Sequence, residues 1–446
     1  MSTRQMTTAS SELRAKIENK TATIAIVGMG YVGLPLAVAV FDAGFPVIGF
    51  DVDEKKIEHL NNGTPYLKHL GSNFAQDFVD SERFVGTTDA AYLAKADIIS
   101  LCVPTPLGSH NEPDLTYVLD STREVAKILR RGQLVVLEST TYPGTTRDEM
   151  LPILEERCLK HGEDFFLAYS PEREDPGRKS ETMQSIPKLV GGIDEISGSL
   201  AHAFYSRVVD NAHLVSSAEV AESAKLLENI YRAVNIALVN EMKLILDKLG
   251  IDIWEVVDAA ATKPFGFQPF YPGPGLGGHC IPIDPFYLTW KAQEAGMPTR
   301  FIELACEINR RMPEIVVDRV ASALNEDGKP LKNAKVLVVG IAYKPDVDDV
   351  RETPAAAIIE DLHGRGANVE YHDPHVAQFP EMRKHNIDLV SVPLTSDSVG
   401  HYDAVLIVTN HALINWDLIA MNAKLVIDTR NALSNCSELR CRLVKA

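Results

Sequence analysis

Short apolar runs alternate with segments of helical periodicity from the start of the chain, which predicts repeated βαβ units. Strands of a parallel sheet are buried on both faces and therefore read as nearly continuous apolar runs. The first part of the chain contains such runs at residues 23–27, 47–50, 97–103, 134–138 and 165–169. They predict a doubly wound parallel sheet with right-handed crossovers.

The pattern changes near Ser216, which forms a capping-box signature with Glu219 and begins a long helical segment that ends at Gly250. Further helices are predicted at 253–261 and 298–325, with a Gly/Pro-rich loop at 265–285 between them. After residue 330 the apolar runs return, and they predict a second set of parallel strands at 335–340, 369–372, 404–409 and 425–428.

These patterns predict an α/β protein with two Rossmann-like, doubly wound parallel-sheet domains joined by a central helical region. A chain of 446 residues is also too long for a single hydrophobic core. The predicted divisions are an N-terminal extension at 1–20, a first Rossmann domain at 21–215, a central helical domain at 216–325 and a second α/β domain at 326–446.

Charge and composition exclude several classes of partner. The net charge is −17 without a basic block, which argues against nucleic acid or an anionic membrane surface. No apolar run reaches the ~18 residues of a membrane helix, and residues 1–20 lack the apolar core of a signal peptide. Six cysteines without metal-type spacing predict free thiols, no metal site and a cytoplasmic location.

A glycine-rich motif directly follows the first predicted strand and begins a helix. The motif GMGYVG at 28–33 contains Gly28, Gly30 and Gly33, which permit a tight turn, close approach to a pyrophosphate and close helix packing. Asp51 ends the next strand, where an acid holds ribose hydroxyls and repels a 2′-phosphate. The sequence therefore predicts a dinucleotide site that favours NAD⁺ over NADP⁺.

The long central helix carries a polar stripe on one face. Glu222, Lys225, Asn229 and Arg232 recur at spacings of three and four residues, whereas the rest of the segment is apolar nearly all round. A helix with that pattern is expected to be buried. A buried lysine with an asparagine one turn later suits a site at which negative charge develops.

The Gly/Pro-rich loop ends in a cysteine. Cys280 follows the glycines of 273–278 and precedes Asp284 by four residues, an arrangement that suits a positioned nucleophile. From the loop alone, a catalytic and a structural cysteine are about equally supported, and His279 is more often structural than a base.

Together these residues resemble the UDP-glucose/GDP-mannose dehydrogenase family over residues 21–435. The matching motifs are GMGYVGLP at 28–35, VPTP at 103–106, EST at 138–140, SPE at 170–172, AKLLEN at 224–229, GGHCIPID at 277–284 and KPDVDDVRETP at 344–354. The resemblance implies two successive oxidations of a sugar C6 hydroxyl by NAD⁺. The aldehyde is held as a thiohemiacetal on Cys280, oxidised to a thioester and released by water as a carboxylate.

The resemblance also assigns roles to residues. It implies that Lys225 and Asn229 stabilise the oxyanion, that Asp284 transfers a proton and that Thr140 orders the catalytic water. Further cofactor contacts are expected from Tyr31, Val32, Lys55, Pro104, Thr105, Thr140 and Arg351. Substrate contacts are expected from Glu172, Arg173, Lys225, Asn229, Lys263, Tyr271, Gly275, Gly277 and Lys344. For Lys263 a solvated side chain is equally supported.

One motif departs from the pattern of UDP-glucose dehydrogenases. Pro176 stands where these enzymes carry a second catalytic glutamate, so that role passes to Glu174 or to no residue. The SPERxxPG form and the segment at 270–292 look more like the branch that acts on UDP-2-acetamido sugars. The expected substrate is UDP-N-acetylglucosamine, with UDP-glucose and UDP-N-acetylmannosamine as alternatives. Products of such enzymes feed lipopolysaccharide, capsule or other surface polysaccharides.

The resemblance further implies that the C-terminal domain holds most of the uridine diphosphate and that the central helices form a homodimer core. Two other functions compete with this one. A one-step dehydrogenase of a hydroxy acid is disfavoured by the cysteine loop and by the second α/β domain. A non-catalytic NAD-binding sensor is disfavoured because Cys280, Lys225 and Asn229 are all present.

Overall fold

The computed structural model describes residues 7–67, 70–71, 73–173, 183–278, 281–382 and 384–446. Two compact units divide the chain. The first unit comprises residues 1–228 and 286–296, and the second comprises residues 229–285 and 297–446. The four domains drawn from the sequence remain a prediction.

The strands occur in two groups, one in each unit. They are β1 Ile24–Val27, β2 Val47–Phe50, β3 Phe84–Thr87, β4 Ile98–Leu101, β5 Leu134–Leu137, β6 Phe166–Tyr169, β7 Lys188–Gly192, β8 Ala212–Leu214, β9 Lys335–Val339, β10 Asn368–His372, β11 Ala404–Ile407, β12 Leu425–Asp428 and β13 Arg442–Lys445. All nine predicted strands are present, whereas β3, β7, β8 and β13 were not predicted from the sequence.

The helices connect these strands and form the middle of the chain. They are α1 Thr8–Glu18, α2 Gly33–Asp42, α3 Glu54–Asn61, α4 Asn73–Val79, α5 Thr116–Ile128, α6 Leu151–Glu155, α7 Glu195–Tyr205, α8 Ala218–Leu249, α9 Ile253–Ala261, α10 Asp284–Glu294, α11 Arg300–Glu326, α12 Pro354–Gly364, α13 Ser396–His401 and α14 Trp416–Asn422. A 3₁₀ helix spans Ala90–Lys95, and a π-helix spans Thr145–Met150.

The sheet of the first unit has the order β3-β2-β1-β4-β5-β6-β7-β8, and only the β6–β7 pair is antiparallel. Ile24 of β1 pairs with Val47 on one side and with Ile98 of β4 on the other. The strand order therefore reverses at β1, and ligands of open α/β sheets bind at such a switch point.

The sheet of the second unit has the order β10-β9-β11-β12-β13 and is parallel throughout. Strand β9, which pairs with β10 and β11, sends Val336 and Val338 into one apolar core and Leu337 and Val339 into another. This burial on both faces explains why the strand reads as an unbroken apolar run. The predicted fold class, two doubly wound sheets with a helical region between them in sequence, is confirmed.

Two expectations about α8 were wrong. The helix is not buried all round, because Leu227 and Leu249 are 66% and 65% exposed and Leu238 is 53% exposed. Its start is capped by Ser217 rather than Ser216, since the Ser217 hydroxyl accepts from the Val220 amide at 3.3 Å. The Glu219 carboxylate pairs with Arg147 at 2.5 Å and so completes no capping box. The predicted end is correct, since Gly250 has a φ of +70°.

Candidate functional site

The three glycines after β1 meet three different surroundings. A Cβ on Gly28, whose φ is +94°, would lie 2.5 Å from the carbonyl oxygen of Cys102, and a Cβ on Gly33 would lie 1.8 Å from that of Gly28. A Cβ on Gly30 would meet no atom within 4 Å. Gly28 and Gly33 are therefore required by the turn and by helix packing, whereas the space beside Gly30 is open, as the predicted pyrophosphate site requires.

Asp51, directly after β2, is buried and already hydrogen-bonded. Its Oδ2 accepts from the Met29 amide at 2.8 Å and from the Lys56 ammonium at 3.0 Å, and its Oδ1 accepts from the Asp53 amide at 2.9 Å. The carboxylate thus ties the glycine turn to the end of β2. The predicted cofactor contact Lys55 is exposed, and the neighbouring Lys56 is the lysine that contacts Asp51.

The other predicted cofactor residues of the first unit follow β1, β4 and β5, whose carboxyl ends lie at one edge of the sheet. The Ser139 hydroxyl donates to the Val103 carbonyl at 2.6 Å, which joins the segments that carry Thr140 and Pro104. The Tyr287 hydroxyl donates to the Thr105 carbonyl at 2.8 Å. Tyr31 is 40% exposed, and Val32 is the N-cap of α2.

The polar stripe of α8 divides into two functions. The buried Glu222 carboxylate accepts from the Gly144 amide at 2.7 Å, from the Thr146 amide at 3.0 Å and from the Thr146 hydroxyl at 2.7 Å. Glu222 therefore anchors the turn after β5 and is not available to a ligand. Lys225 and Asn229 are each 7% exposed, one turn apart on the helix.

Asn229 and Asp284 lie in contact. The Asn229 Nδ2 donates to the Asp284 Oδ2 at 2.5 Å, and Asp284, 4% exposed, is the first residue of α10. The helix α10 thus begins inside the segment that was expected to be a loop. Two residues predicted from separate motifs are brought together, next in sequence to the cysteine loop. Cys280 and His279 lie outside the described residues.

The SPE segment is held by several bonds after β6. The Glu172 carboxylate accepts from the Arg173 amide at 2.7 Å and lies 3.3 Å from the Lys188 ammonium. The Arg173 guanidinium donates to Glu228 of α8 at 2.6 Å and to the Pro187 carbonyl at 2.6 Å. Arg173 is therefore engaged with protein groups rather than open to a substrate. Glu174 and Pro176 lie outside the described residues.

The glycines of the cysteine loop lie against other parts of the second unit. A Cβ on Gly277 would lie 2.6 Å from the Tyr343 Cβ, and the Gly278 amide donates to the Arg351 carbonyl at 2.9 Å. A Cβ on Gly275, whose φ is +135°, would lie 3.1 Å from the Pro354 Cβ. These glycines were expected to allow a ligand to approach the backbone. In the structure they allow close contact with the segment between β9 and α12.

A cavity of about 820 Å³ lies in the second unit. Its walls include Tyr271, which was predicted, and the indole rings of Trp254 and Trp416, which were not. Arg430 lines it as well, and a Cβ on Gly273 would lie 2.4 Å from the Arg430 Nη1. Burial lowers the pKa of Arg430 to about 10, although Asp428 opposes this shift. The signal for Arg430 in the sequence was its position directly after the last predicted strand.

The remaining predicted residues lie at the periphery of the second unit. The Arg351 guanidinium donates to Asp349 at 2.6 Å. The Lys344 ammonium lies 5.7 Å from the centre of the Tyr343 ring, and the Lys263 ammonium lies 5.0 Å from that of Phe265. Across the described residues, no helix has both the length and the apolar character needed to cross a membrane.

Three family models cover most of the chain. They are the NAD binding domain, the central domain and the UDP binding domain of the UDP-glucose/GDP-mannose dehydrogenase family, at residues 22–209, 219–311 and 337–435. The chain belongs to this family. It is an NAD-dependent UDP-sugar dehydrogenase, as the glycine turn and the motifs along the chain had indicated.

The chain is similar to several relatives. It is 41% identical to Protein CapL of Staphylococcus aureus, over 82% of this chain and 85% of that protein. It is 36% identical to the UDP-N-acetyl-D-glucosamine 6-dehydrogenase of Pseudomonas aeruginosa, over 88% of this chain and 91% of that protein. The solved structure of UDP-D-ManNAc dehydrogenase from Pyrococcus horikoshii is 31% identical with a TM-score of 0.85, and the match covers 95% of this chain and 99% of that one.

Proposed function

We propose that this protein oxidises the C6 hydroxyl of UDP-N-acetylglucosamine to the carboxylate with two NAD⁺. The observation that carries the proposal is the Asn229–Asp284 contact at 2.5 Å, which joins the helix stripe to the residues that follow Cys280. Lys225 is buried one turn before Asn229 on the same helix. Such groups suit an anion that develops next to a nucleophile in a site with little water.

The chemistry proceeds in four steps. A hydride leaves C6 for the first NAD⁺ while the hydroxyl loses its proton, and the Cys280 thiolate adds to the aldehyde that results. Lys225 and Asn229 stabilise the oxyanion of this adduct, and Asp284 takes up or returns the proton. A second hydride transfer gives a thioester. Water ordered by Thr140, and activated by Glu174 if any residue takes that role, releases the carboxylate and the free thiol.

The cavity of the second unit supports the binding of uridine diphosphate. Tyr271 and Trp416 offer aromatic rings to a base, and Arg430 offers a cation to phosphate. Eleven of the sixteen lining residues fall within the region matched by the UDP binding domain. Lys344 and Gly277 belong to the same unit and are proposed to contact the diphosphate and the sugar.

Two sugars compete as the substrate. The relative from P. aeruginosa, 36% identical, favours UDP-N-acetylglucosamine, and so does the SPERxxPG form of the segment at 170–177. The structure from P. horikoshii makes UDP-N-acetylmannosamine the second candidate. Either product is a UDP-uronic acid, and we propose that it feeds a surface polysaccharide.

A stoichiometric assay tests the proposal. Purified protein is given UDP-glucose, UDP-N-acetylglucosamine, UDP-N-acetylgalactosamine or UDP-N-acetylmannosamine, and NADH is followed by absorbance. We expect two NADH per UDP-N-acetylglucosamine consumed. One NADH per sugar, or a larger kcat/KM for another sugar of the panel, contradicts it.

The cysteine is tested by a matched pair of variants. Cys280→Ser is expected to stall before the acid forms, because an alkoxide does not replace the thiolate in thioester chemistry. Cys158→Ser is the control, since Cys158 is exposed and belongs to none of the motifs. Full conversion to the uronate by Cys280→Ser overturns the role of nucleophile, and so does equal inhibition of both variants by a thiol alkylating agent.

We also propose that the protein is a homodimer formed through α8. Exposed apolar side chains follow one face of that helix, at Val220, Leu227, Tyr231, Leu238, Met242, Ile245 and Leu249. Their spacing of three, four or seven residues is that of a helix packed against a partner helix. Light scattering is expected to give twice the 49.0 kDa of the chain, and Leu238→Glu is expected to give monomers. A monomeric wild type contradicts the proposal.

A further inference from the structure

A chain of ionisable side chains is buried beneath the SPE segment of the first unit. Glu138 follows β5, Lys188 begins β7 and Tyr205 ends α7. The Lys188 ammonium lies 2.7 Å from the Glu138 Oε2 and 3.3 Å from the Glu172 Oε2, and the Tyr205 hydroxyl donates to the Glu138 Oε1. The mechanism proposed above uses none of these four residues, and only Glu172 is among the substrate contacts expected from the sequence.

The exposed fraction of the three charged side chains in this cluster increases from Glu138 through Lys188 to Glu172. The side chains of Glu138 and Lys188 are 0% and 4% exposed, whereas that of Glu172 is 14% exposed. A buried ammonium is stable only with carboxylate partners. Burial lowers the pKa of Lys188, but Glu138 and Glu172 outweigh it and hold that pKa above its ordinary value. Lys188 therefore stays charged, and Glu172 is the most exposed of these three charged side chains.

Both oxygens of Glu172 are fixed. Its Oε1 accepts from the Arg173 amide at 2.7 Å, and its Oε2 faces Lys188, whose ammonium also donates to the Pro171 carbonyl at 3.4 Å. A carboxylate accepts about four hydrogen bonds, and these contacts contribute to setting its orientation. The contact of Lys188 with Glu172 is additional to its contact with Glu138.

We propose that Lys188 is a positioning residue that, braced by Glu138 and Tyr205, holds Glu172 as an oriented carboxylate for the UDP-sugar. The inference rests on the proposed function and on the substrate contact that the family resemblance predicts for Glu172. Without the ammonium, two carboxylates would face each other in a buried space, and Glu172 would turn away or take up a proton. Lys188 thus acts on the substrate through Glu172 and not by its own contact.

The test compares Michaelis constants in the full-length protein. Lys188→Met is expected to raise the KM for the UDP-sugar about tenfold, as the loss of one oriented charged hydrogen bond does, and to change the KM for NAD⁺ less than about twofold. The control is Lys16→Met, which removes a lysine that pairs with the buried Asp97 at 2.8 Å in the same unit. It is expected to lower the unfolding temperature and to leave both KM values unchanged.

A double-mutant cycle separates positioning from mere stability. If Lys188 acts through Glu172, then Lys188→Met has no further effect on the sugar KM in a Glu172→Gln background. If Lys188→Met does not fold, the pair Glu138→Gln with Lys188→Met removes one charge of each sign. This pair is expected to restore folding and to keep the raised sugar KM.

The outcomes are distinct. An unchanged sugar KM in the folded variant overturns the inference alone, and so does an equal rise of the KM for NAD⁺. Additive effects of Lys188→Met and Glu172→Gln overturn it as well, because independent residues behave in that way. A wild type that reduces NAD⁺ with no sugar of the panel overturns the proposed function and this inference together.

Discussion

The two doubly wound units have the same glycine turn after their first strands, β1 and β9, but the surroundings of the two turns differ. In the first unit, Gly28 has a φ of +94° and its amide donates to the Phe50 carbonyl at 2.8 Å. In the second unit, Gly340 has a φ of +78° and its amide donates to the His372 carbonyl at 2.8 Å. Each glycine directly follows the strand of its sheet that comes first in sequence.

An aspartate follows the second strand in both units and binds the turn. Asp51 accepts from the Met29 amide at 2.8 Å, and Asp373 accepts from the Ile341 amide at 2.7 Å. The difference is in the other partners. Asp373 also accepts from the amides of Ala342, His375 and Val376 and from the ring of His411, all within 3.2 Å.

This difference indicates that the same turn does not serve the same binding role in the two units. Asp373 is saturated by protein donors and is 3% exposed, so no ribose hydroxyl reaches it. In the second unit no helix follows the turn directly, because residues 341–353, all of them described, precede the start of α12 at Pro354. The first unit keeps the glycine turn and the helix directly after it, which we propose to bind the dinucleotide, whereas the second keeps only the strands and the turn.

The largest effects are expected at the shared glycine. Gly28→Ala and Gly340→Ala combine a strained φ with Cβ contacts of 2.5 and 2.2 Å to backbone carbonyls, so each is expected to lower the free energy of unfolding by about 4 kcal/mol. Calorimetry measures the loss. Gly132→Ala and Gly328→Ala are matched controls, with φ of +82° and +71° and no atom within 4 Å of the added Cβ. If the variants and the controls lose the same free energy of unfolding, then the positive φ alone, and not the Cβ contact, explains why glycine is needed at Gly28 and Gly340.

Exchange of the aspartates sharpens the comparison. Asp373→Asn removes an acceptor from several buried donors and is expected to cost about 3 kcal/mol of stability with NAD⁺ affinity unchanged. Asp51→Asn is expected to weaken NAD⁺ binding about tenfold at a smaller cost in stability. Thermal unfolding and titration calorimetry with NAD⁺ give both quantities. If Asp373→Asn weakens NAD⁺ binding as much as Asp51→Asn does, the division of labour between the units is wrong.

Acid titration tests the same aspartate in the unmodified protein. Burial raises the pKa of Asp373, but the bond with His411 and the amides of Ile341 and His375 outweigh it and leave that pKa below its ordinary value. A depressed carboxyl pKa contributes stability above the ordinary value and loses it as the pH falls through the folded value. Asp373→Asn is therefore expected to unfold with a weaker pH dependence below about pH 4 than the wild type. An identical acid dependence contradicts this.

The sequence was sufficient for the parts of the fold that periodicity controls. The buried strands read as apolar runs, and the glycine turn was located from its motif. The sequence did not predict β7 and β13, because neither strand is a continuous apolar run. Lys188–Gly192 contains a buried lysine and two glycines, and Arg442–Lys445 has charged residues at both ends. These strands depend on partners distant in sequence, which a local pattern does not contain.

The site shows the same limit. The sequence analysis selected Asn229 and Asp284 from two separate motifs. It did not predict their contact, which only the fold shows. Glu222 was grouped with them by helical spacing, although its partners Gly144 and Thr146 assign it to a turn. Spacing predicts which residues share a face, but it does not predict what that face meets. The roles of the predicted site residues, Cys280 above all, stay predictions until substitution and the sugar panel test them.

A smaller effect is expected at the glycine that the second unit does not share. Gly30→Ala is expected to weaken NAD⁺ binding about tenfold, because its Cβ enters the space proposed for the pyrophosphate. The unfolding temperature is expected to stay unchanged, since no atom lies within 4 Å of that Cβ. Titration calorimetry and thermal unfolding measure the two quantities on one preparation. A destabilised variant with normal NAD⁺ affinity would place Gly30 with Gly28 as a requirement of folding.

The smallest effect is expected at Lys56, whose ammonium pairs with Asp51. The corresponding Asp373 is bound by backbone amides and a histidine and, among the residues that the structure describes, has no such ammonium partner. The Lys56 ammonium lies 3.0 Å from the same Oδ2 that ribose hydroxyls would approach. Lys56→Met removes this competitor and is expected to tighten NAD⁺ binding about twofold, because a partly exposed ion pair is worth at most about 1 kcal/mol. Lys127→Met is the control, as Lys127 forms an exposed ion pair with Glu124 in the same unit and belongs to no predicted site. Weaker NAD⁺ binding by Lys56→Met would instead make Lys56 a cofactor contact, the role predicted for Lys55.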